Sequence, residues 1–253
     1  MRKFQKLAGV ACGATALLAF GAGPALAASG SVHANLKSVP GSEVDGSGTA
    51  MVKVDGRTIT VTLAAMGLLE DQPHAAHIHF GDDARHECPT LDEDSNGNGH
   101  LSTKEGAPAY GPVAVSLTKT GDTSAKSVLA IDRFDTAKGG DISYERGSIK
   151  VSEDLAKAIA GGEAVVVIHG VDHNDNGKYD GAEKSDLNPK LPAEATDPAL
   201  CGVLRNAPGG GMATGNGGAA AGRNTALIGL GGAALVAAAG SGVVAARRAR
   251  ARA

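Results

Sequence analysis

The chain has 253 residues, lacks tryptophan, contains only 3% aromatic residues and carries a formal net charge of −3. Eight of its 24 lysine and arginine residues lie in two terminal segments, whereas all 27 acidic residues lie between them, so the intervening part carries a net charge of −11. A surface of this sign repels nucleic acid and attracts cations, which excludes a nucleic-acid partner.

The N-terminus has the pattern of a secretory signal peptide. Basic residues close to the start precede an apolar run over residues 7–20, and small residues at 25–27 offer a cleavage site. We therefore expect residues 1–27 to be removed on export, together with Cys12.

Between the two terminal segments, residues 31–205 predict one all-β domain. Short alternating runs are separated by glycine-rich turns, and Asp55 with Gly56 marks a hairpin because both residues tolerate a type I′ turn. One short helix is expected after the capping residue Ser152, ending at Gly161 and Gly162. The predicted strands cover residues 31–39, 51–54, 57–63, 74–80, 112–117, 127–134, 141–151, 164–169 and 200–204. This pattern is typical of an antiparallel β-sandwich.

A histidine-rich stretch within residues 74–80 is the first candidate metal site. Side chains two residues apart on a strand share a face, so His77 and His79 project together while Ile78 points to the other face. Two imidazoles in this arrangement can chelate a metal ion; the alternative is a pair of hydrogen-bonded histidines in an edge strand. His74 falls on the opposite face and needs a separate role.

Two polar loops match the 12-residue calcium-binding template, at residues 94–105 and 172–183. The candidate ligands are Asp94, Asn96, Asn98, His100, Ser102 and Glu105 in the first loop, and Asp172, Asn174, Asn176, Lys178, Asp180 and Glu183 in the second. His100 and Lys178 would ligate through their backbone carbonyls. The alternative is a metal-free turn rich in asparagine and glycine. Because no pair of long helices flanks either loop, we expect calcium to have a structural role.

Cys88 and Cys201 are the only cysteines that remain after the signal peptide. In an exported protein, an even pair most simply forms one disulfide. We therefore expect a bridge between them that restricts the unfolded chain.

The C-terminal part has the composition of a membrane anchor. Residues 206–224 predict a flexible linker, residues 225–246 are uncharged over a length that crosses a bilayer, and residues 247–253 are rich in arginine. The positive-inside rule places these arginines in the cytoplasm, so we expect a transmembrane helix that anchors the domain outside the plasma membrane, in the cell envelope. The alternative is a tail that is removed or merely flexible.

The chain resembles Cu/Zn superoxide dismutases in three stretches. The histidines within residues 74–79, followed by Cys88, look like that family's copper-binding strand and disulfide loop. Residues 165–169 resemble the strand that carries its last copper ligand, and residues 200–204 resemble the strand with its second disulfide cysteine. Residues 154–162, which precede a valine-rich strand ending in histidine, are similar to the CHRD domain, a relative in fold of the dismutases.

The resemblance implies an antiparallel Greek-key β-sandwich of the dismutase-like or immunoglobulin-like kind. It also implies roles for single residues: copper ligation by His77, His79 and His169, loop pinning by a buried His74, and a disulfide between Cys88 and Cys201.

The resemblance ends at the zinc site and at the approach to copper. The dismutases need further histidines and an aspartate after the first cysteine, but here that region is the first calcium-type loop, whose only histidine is His100. The arginine expected shortly before the last cysteine is also missing. We therefore expect no zinc site and no efficient superoxide turnover.

The expected function is an envelope binding or structural module. It binds calcium, can bind copper through its histidines, and has an extracellular partner that the sequence does not identify. The alternative is a copper-dependent superoxide dismutase or a copper-handling protein.

Overall fold

Antiparallel pairing organises the part of the chain that the structure describes. The computed structural model describes residues 27–206, which form a mostly β fold with one curled antiparallel sheet, a separate pair of two-residue strands and two short helices. The strands are β1 Ser29–Ser38, β2 Ser47–Asp55, β3 Thr58–Met66, β4 Pro73–His74, β5 Ala76–His79, β6 Val113–Ser116, β7 Asp135–Thr136, β8 Ile142–Lys150, β9 Val165–His169, β10 Pro198–Val203 and β11 Arg205–Asn206. The helices are α1 Thr103–Tyr110 and α2 Glu153–Gly161.

The sheet runs in the order β6-β5-β9-β10-β1-β2-β3-β8, with β11 beside β1, while β4 pairs with β7. The predicted hairpin at Asp55 and Gly56 is confirmed, since Asp55 pairs with Thr58 and Gly56 has a φ of 59°. The sheet curls so that its two ends approach each other: Arg146 in β8 donates a hydrogen bond to the carbonyl of Thr118, which follows β6.

Strand β9 lies at the centre of the fold and is buried on both faces. Val166 and Ile168 belong to the main core, whereas Val165 and Val167 belong to a smaller apolar cluster on the other side. Because side chains alternate along a strand, His169 shares the side of Val165 and Val167. The side of the sheet that carries this smaller cluster also carries His77, His79 and His169.

The predicted helix is confirmed as α2. The hydroxyl of Ser152 accepts a hydrogen bond from the backbone N–H of Leu155, and Gly162 ends the helix with a φ of 82°. The other helix, α1, was not predicted from the sequence. Ser102 and Glu105 form a reciprocal capping box at its start, but both residues also fill ligand positions of the calcium template, which led to a loop being predicted there.

Two strand predictions need correction. The strand over residues 127–134 is wrong, because the chain forms 3₁₀ turns at Ala125–Ser127 and Ile131–Arg133 instead. The Asp122 carboxylate accepts a hydrogen bond from the Ser127 hydroxyl there, and such local bonds compete with sheet pairing. The strand over residues 74–80 is divided, since β4 and β5 pair with different partners.

The predicted disulfide between Cys88 and Cys201 is confirmed. It joins the segment between β5 and α1 to β10, across 113 residues of sequence. In the loop-entropy treatment, a closed loop of this length restricts the unfolded chain by about 4–5 kcal/mol.

The predicted signal peptide, linker, membrane span and basic tail lie outside the described residues, apart from Ala27 and Asn206. Among residues 27–206, none of the helices has both the length and the apolar character that a bilayer crossing requires.

Candidate metal centre

Two neighbouring strands bring three histidines together. His77 and His79 come from β5, His169 ends β9, and the pairing of the strands places His77 opposite Val167 and His79 opposite Val165. One ring nitrogen from each histidine lies within 4.8 Å of the others, and all three side chains are buried. We call these three residues the histidine cluster.

Backbone carbonyls orient two of the three rings. Nδ1–H of His79 donates to the carbonyl of Gly111 at 2.8 Å, and Nδ1–H of His169 donates to the carbonyl of Thr196 at 2.7 Å. A carbonyl only accepts, so each Nδ1 carries the proton and each neutral ring keeps an unprotonated Nε2. The Nε2 atoms of His79 and His169, and both nitrogens of His77, are buried without a hydrogen-bond partner.

Burial keeps the cluster neutral. It lowers the pKa of His79 to about 3 and that of His169 to about 4, because a charged imidazolium loses its hydration. Burial also lowers the pKa of His77 well below its usual value, and the neighbouring rings add to this effect. Since a metal ion binds the neutral imidazole, the three rings are in the ligating form at neutral pH.

Aromatic side chains close two sides of the cluster. The ring of His77 lies 5.3 Å from that of Phe134 in an edge-to-face arrangement, and the ring of His79 lies 4.5 Å from that of Tyr110. Both aromatic residues are buried. They restrict ring rotation and exclude water from this side of the cluster.

His74 lies beside the cluster rather than in it. Its Nδ1 is 2.9 Å from the His169 carbonyl, its Nε2 is 3.1 Å from the Leu69 carbonyl, and the Tyr179 hydroxyl is 3.2 Å from Nε2. A neutral ring can donate to one of these carbonyls and accept the hydroxyl proton at the other nitrogen. His74 therefore connects the segment before β4, the end of β9 and the second calcium-type loop.

The first calcium-type loop folds its backbone around Asp94. The Asp94 carboxylate accepts the N–H groups of Gly97 at 2.7 Å and Gly99 at 2.8 Å. Glu105, at the last template position, accepts from the backbone and hydroxyl of Ser95. Backbone N–H groups of the same loop also donate to the side-chain oxygens of Asn96, Asn98 and Ser102. The side-chain oxygens at positions 1, 3, 5, 9 and 12 thus all bond within this loop.

The second calcium-type loop repeats this arrangement at its first position. The Asp172 carboxylate accepts the N–H groups of Asn176 at 3.2 Å and Gly177 at 2.6 Å. The carboxylate of Asp180 accepts the side-chain amides of Asn174 at 2.9 Å and of Asn176 at 3.0 Å. Positions 1, 3, 5 and 9 are therefore close together.

The two loops contact each other. The carboxylate of Glu183, at the last template position of the second loop, accepts the Asn98 side-chain amide of the first loop at 3.1 Å. The rings of His100 and His173 lie with centroids 3.8 Å apart. The side chain of Lys178 is exposed. The calcium template uses only the backbone carbonyl at this position.

Two acidic residues that were not singled out from the sequence support the second loop. The buried carboxylate of Glu194 accepts the backbone N–H groups of His173 at 3.1 Å and Asp180 at 2.6 Å. Asp197 accepts from His173 at 3.2 Å. Burial raises the pKa of Asp197 to about 6, and the hydrogen bond to Asp197 raises the pKa of His173 although burial opposes this.

The carbonyls that orient the cluster come from segments next to the first loop. Gly111 directly follows α1, whose first turn contains the last three template positions of the loop. The carbonyl of Thr196 accepts a second hydrogen bond from the Thr103 hydroxyl in α1. Nothing in the sequence marks a backbone carbonyl as a partner of a histidine. The sequence therefore indicated the candidate ligands but not what orients them.

A family model of the CHRD domain matches residues 29–177. The matched region contains the whole histidine cluster and the first calcium-type loop, and it ends within the second loop. No curated protein matches the chain.

Proposed function

Because the chain belongs to the CHRD domain family and buries three histidines together, we propose that it is a metal-binding domain that holds copper through His77, His79 and His169. The observation that carries this proposal is the unpartnered Nε2 of both His79 and His169, each fixed by a carbonyl at the opposite nitrogen. A buried polar atom without a partner costs roughly 1–3 kcal/mol, and a bound ion removes that cost.

Copper fits this donor set better than calcium or magnesium. Neutral imidazole suits the later transition metals, and copper has the highest affinity among the common divalent ions for such nitrogen donors. The hydrogen bonds from His79 and His169 to carbonyls also raise the basicity of the ligating nitrogens. Bound copper would supply one-electron redox chemistry at this position.

The strand order supports the Greek-key β-sandwich implied by the resemblance to the dismutases. After the β1-β2-β3 meander, the chain crosses to β5 and β6, returns to β8 beside β3, and crosses again to β9 and β10. Adjacent hairpins joined by such long crossings are the Greek-key pattern. In this arrangement the histidine cluster lies on the side of β5 and β9 that faces away from the main core.

Calcium in the two loops is the second part of the proposal. The carboxylate of Asp94 accepts a hydrogen bond from the N–H of Gly99, and that of Asp172 accepts one from the N–H of Gly177. The same hydrogen bond therefore joins the first and sixth template positions in both loops. In the second loop, Glu183 would have to exchange its bond with Asn98 for the ion. The asparagines lower the ligand charge, which suits weak extracellular sites with a Kd of roughly 10⁻⁴ to 10⁻³ M.

We place the domain outside the cell, tethered to the plasma membrane through residues 225–246. The signal-peptide pattern, the disulfide and the weak calcium template all suit an oxidising, calcium-rich exterior. We do not extend the proposal to superoxide turnover, because a net charge of −11 repels an anionic substrate.

The decisive experiment measures copper in the full chain. After exposure to excess Cu(II) and dialysis, we expect close to one copper ion per chain, with nitrogen hyperfine structure in the electron paramagnetic resonance spectrum. His77→Ala removes one of the three proposed ligands, so the affinity for copper should fall by at least about tenfold and less copper should remain after dialysis.

His33→Ala is the matched control, because His33 is exposed on β1. It should retain the copper of the unaltered chain. Circular dichroism of both variants separates ligand loss from unfolding. Equal copper in the two variants, or none in the unaltered chain, would refute the histidine cluster as a copper site.

A further inference from the structure

A cavity of about 320 Å³ opens beside the histidine cluster. His77 and His169 form part of its wall, and the remainder comes mainly from residues 128–131 and 187–196. This volume lies at the lower end of the range for small-molecule sites, roughly 300–1,000 Å³.

The lining of this cavity has no charged side chain, although the described part of the chain is strongly acidic. Six large apolar side chains are exposed in the described residues, and three of them, Leu129, Ile131 and Leu187, line this one cavity. Each of the three is between 36% and 45% exposed. Single exposed apolar residues are ordinary, but three of them grouped around one concave surface indicate a binding site for an apolar ligand.

The polar lining residues of the cavity are uncharged, and four of the six are buried: His77, Thr103, His169 and Thr196, with Tyr179 and Asn188 partly exposed. His77 has two ring nitrogens without a hydrogen-bond partner, and at most one of them can ligate a metal ion of the cluster. The second nitrogen lies near the Val128 backbone without a well-formed hydrogen bond to it, so it can pair with a polar group of a ligand. The Tyr179 hydroxyl is already within hydrogen-bond distance of His74.

We propose that this cavity binds an uncharged, largely apolar small molecule with a single polar group that faces His77. The absence of charged lining residues excludes a salt bridge to an ionic ligand. The apolar walls come from residues that do not ligate metal, so binding of the apolar body does not rest on the proposed copper site. If the histidine cluster holds copper, an occupant of this cavity would contact two of the proposed ligands, His77 and His169, and could modulate that site.

The experiment uses a neutral photoreactive probe, 3-phenyl-3-(trifluoromethyl)diazirine, on the full chain in phospholipid nanodiscs treated with EDTA. Labelled peptides are mapped by mass spectrometry and counted only within residues 27–206. We expect the label to concentrate in residues 128–131 and 187–196. A trimethylammonium analogue should label these peptides far less, although non-specific attraction to an acidic protein would favour it.

Leu187→Glu places a charge at the exposed wall and should reduce labelling by at least about fivefold, since an ionised group next to the bound probe loses hydration. Met66→Glu is the matched control, because Met66 is 60% exposed and lies outside this cavity. His79→Ala should keep the label, because His79 belongs to the histidine cluster but does not line this cavity, which separates this result from failure of the copper site.

Label spread evenly over the sheet, equal labelling of Leu187→Glu and Met66→Glu, or equal labelling by the cationic analogue would overturn the proposal. A second copy of the chain could cover the same apolar surface. In that case the unaltered chain would be a dimer by sedimentation, Leu187→Glu would be a monomer, and the probe would not reach the cavity, which would also overturn it.

Discussion

At the residue scale, the histidine cluster depends on backbone carbonyl groups, which every type of residue carries. The alternation of β5 predicts that His77 and His79 share a face, and the structure places them so. The third candidate ligand, His169, was proposed from the resemblance alone. The carbonyls of Gly111 and Thr196 fix the protonated nitrogens of two rings, and any residue supplies a carbonyl, so this part of the site could not be predicted from the sequence.

The contact between Tyr179 and His74 gives a prediction at the same scale. Tyr179→Phe removes the hydroxyl that lies 3.2 Å from Nε2 of the buried His74. One His74 nitrogen then loses its only donor, so we expect the free energy of unfolding to fall by about 1 kcal/mol, as measured by urea denaturation.

Tyr144→Phe is the control for this change. Its hydroxyl meets only the Thr118 carbonyl, at 3.4 Å, and that carbonyl also accepts from Arg146. We expect a smaller loss of stability there. If both variants unfold at the same urea concentration, the Tyr179 hydroxyl has no special role.

At the element scale, hydrophobic alternation predicted most strands correctly. Local side-chain hydrogen bonds explain the wrong strand and the missed helix. The meander β1 to β3 and strands β8 and β9 lie close to their predicted positions because one or both faces are buried. Residues 127–134 have enough apolar character for a strand, but side-chain bonds around Asp122 hold turns there. Helix α1 was missed because its capping residues also fit a calcium template.

The two calcium-type loops give the prediction at this scale. At about 1 mM calcium, a site with a Kd near 10⁻⁴ M stabilises the folded state by about 1.4 kcal/mol. Replacing calcium with EGTA should therefore lower the Tm of the full chain by about 3–6 °C per occupied loop. Differential scanning calorimetry measures this shift.

Two variants that each remove one charge from the second loop test its specificity. Asp172→Asn changes the first template position, whereas Asp175→Asn changes position 4, which carries no ligand. The calcium-dependent part of the Tm shift should shrink in Asp172→Asn and persist in Asp175→Asn. An identical shift in both variants would mean that calcium acts elsewhere.

At the scale of the whole molecule, the disulfide closes a loop that contains both helices, both calcium-type loops and strands β6, β8 and β9 of the sheet. Replacing both cysteines by serine should lower the free energy of unfolding by several kcal/mol, at most about 4–5 kcal/mol from loop entropy. Urea denaturation with and without dithiothreitol measures this. The reductant should weaken the unaltered chain and leave the double variant unchanged; sensitivity of the double variant would point to a different cause.

The carbonyl of Thr196 accepts hydrogen bonds from both Thr103 and His169. One oxygen atom therefore belongs at once to the helix that follows the first loop and to the histidine cluster. Thermodynamic reciprocity then applies: if an ion in that loop changes the affinity of the cluster for its metal by some factor, the metal changes the affinity of the loop by the same factor. Calcium in the first loop and a metal ion in the histidine cluster would then be coupled through this single carbonyl group.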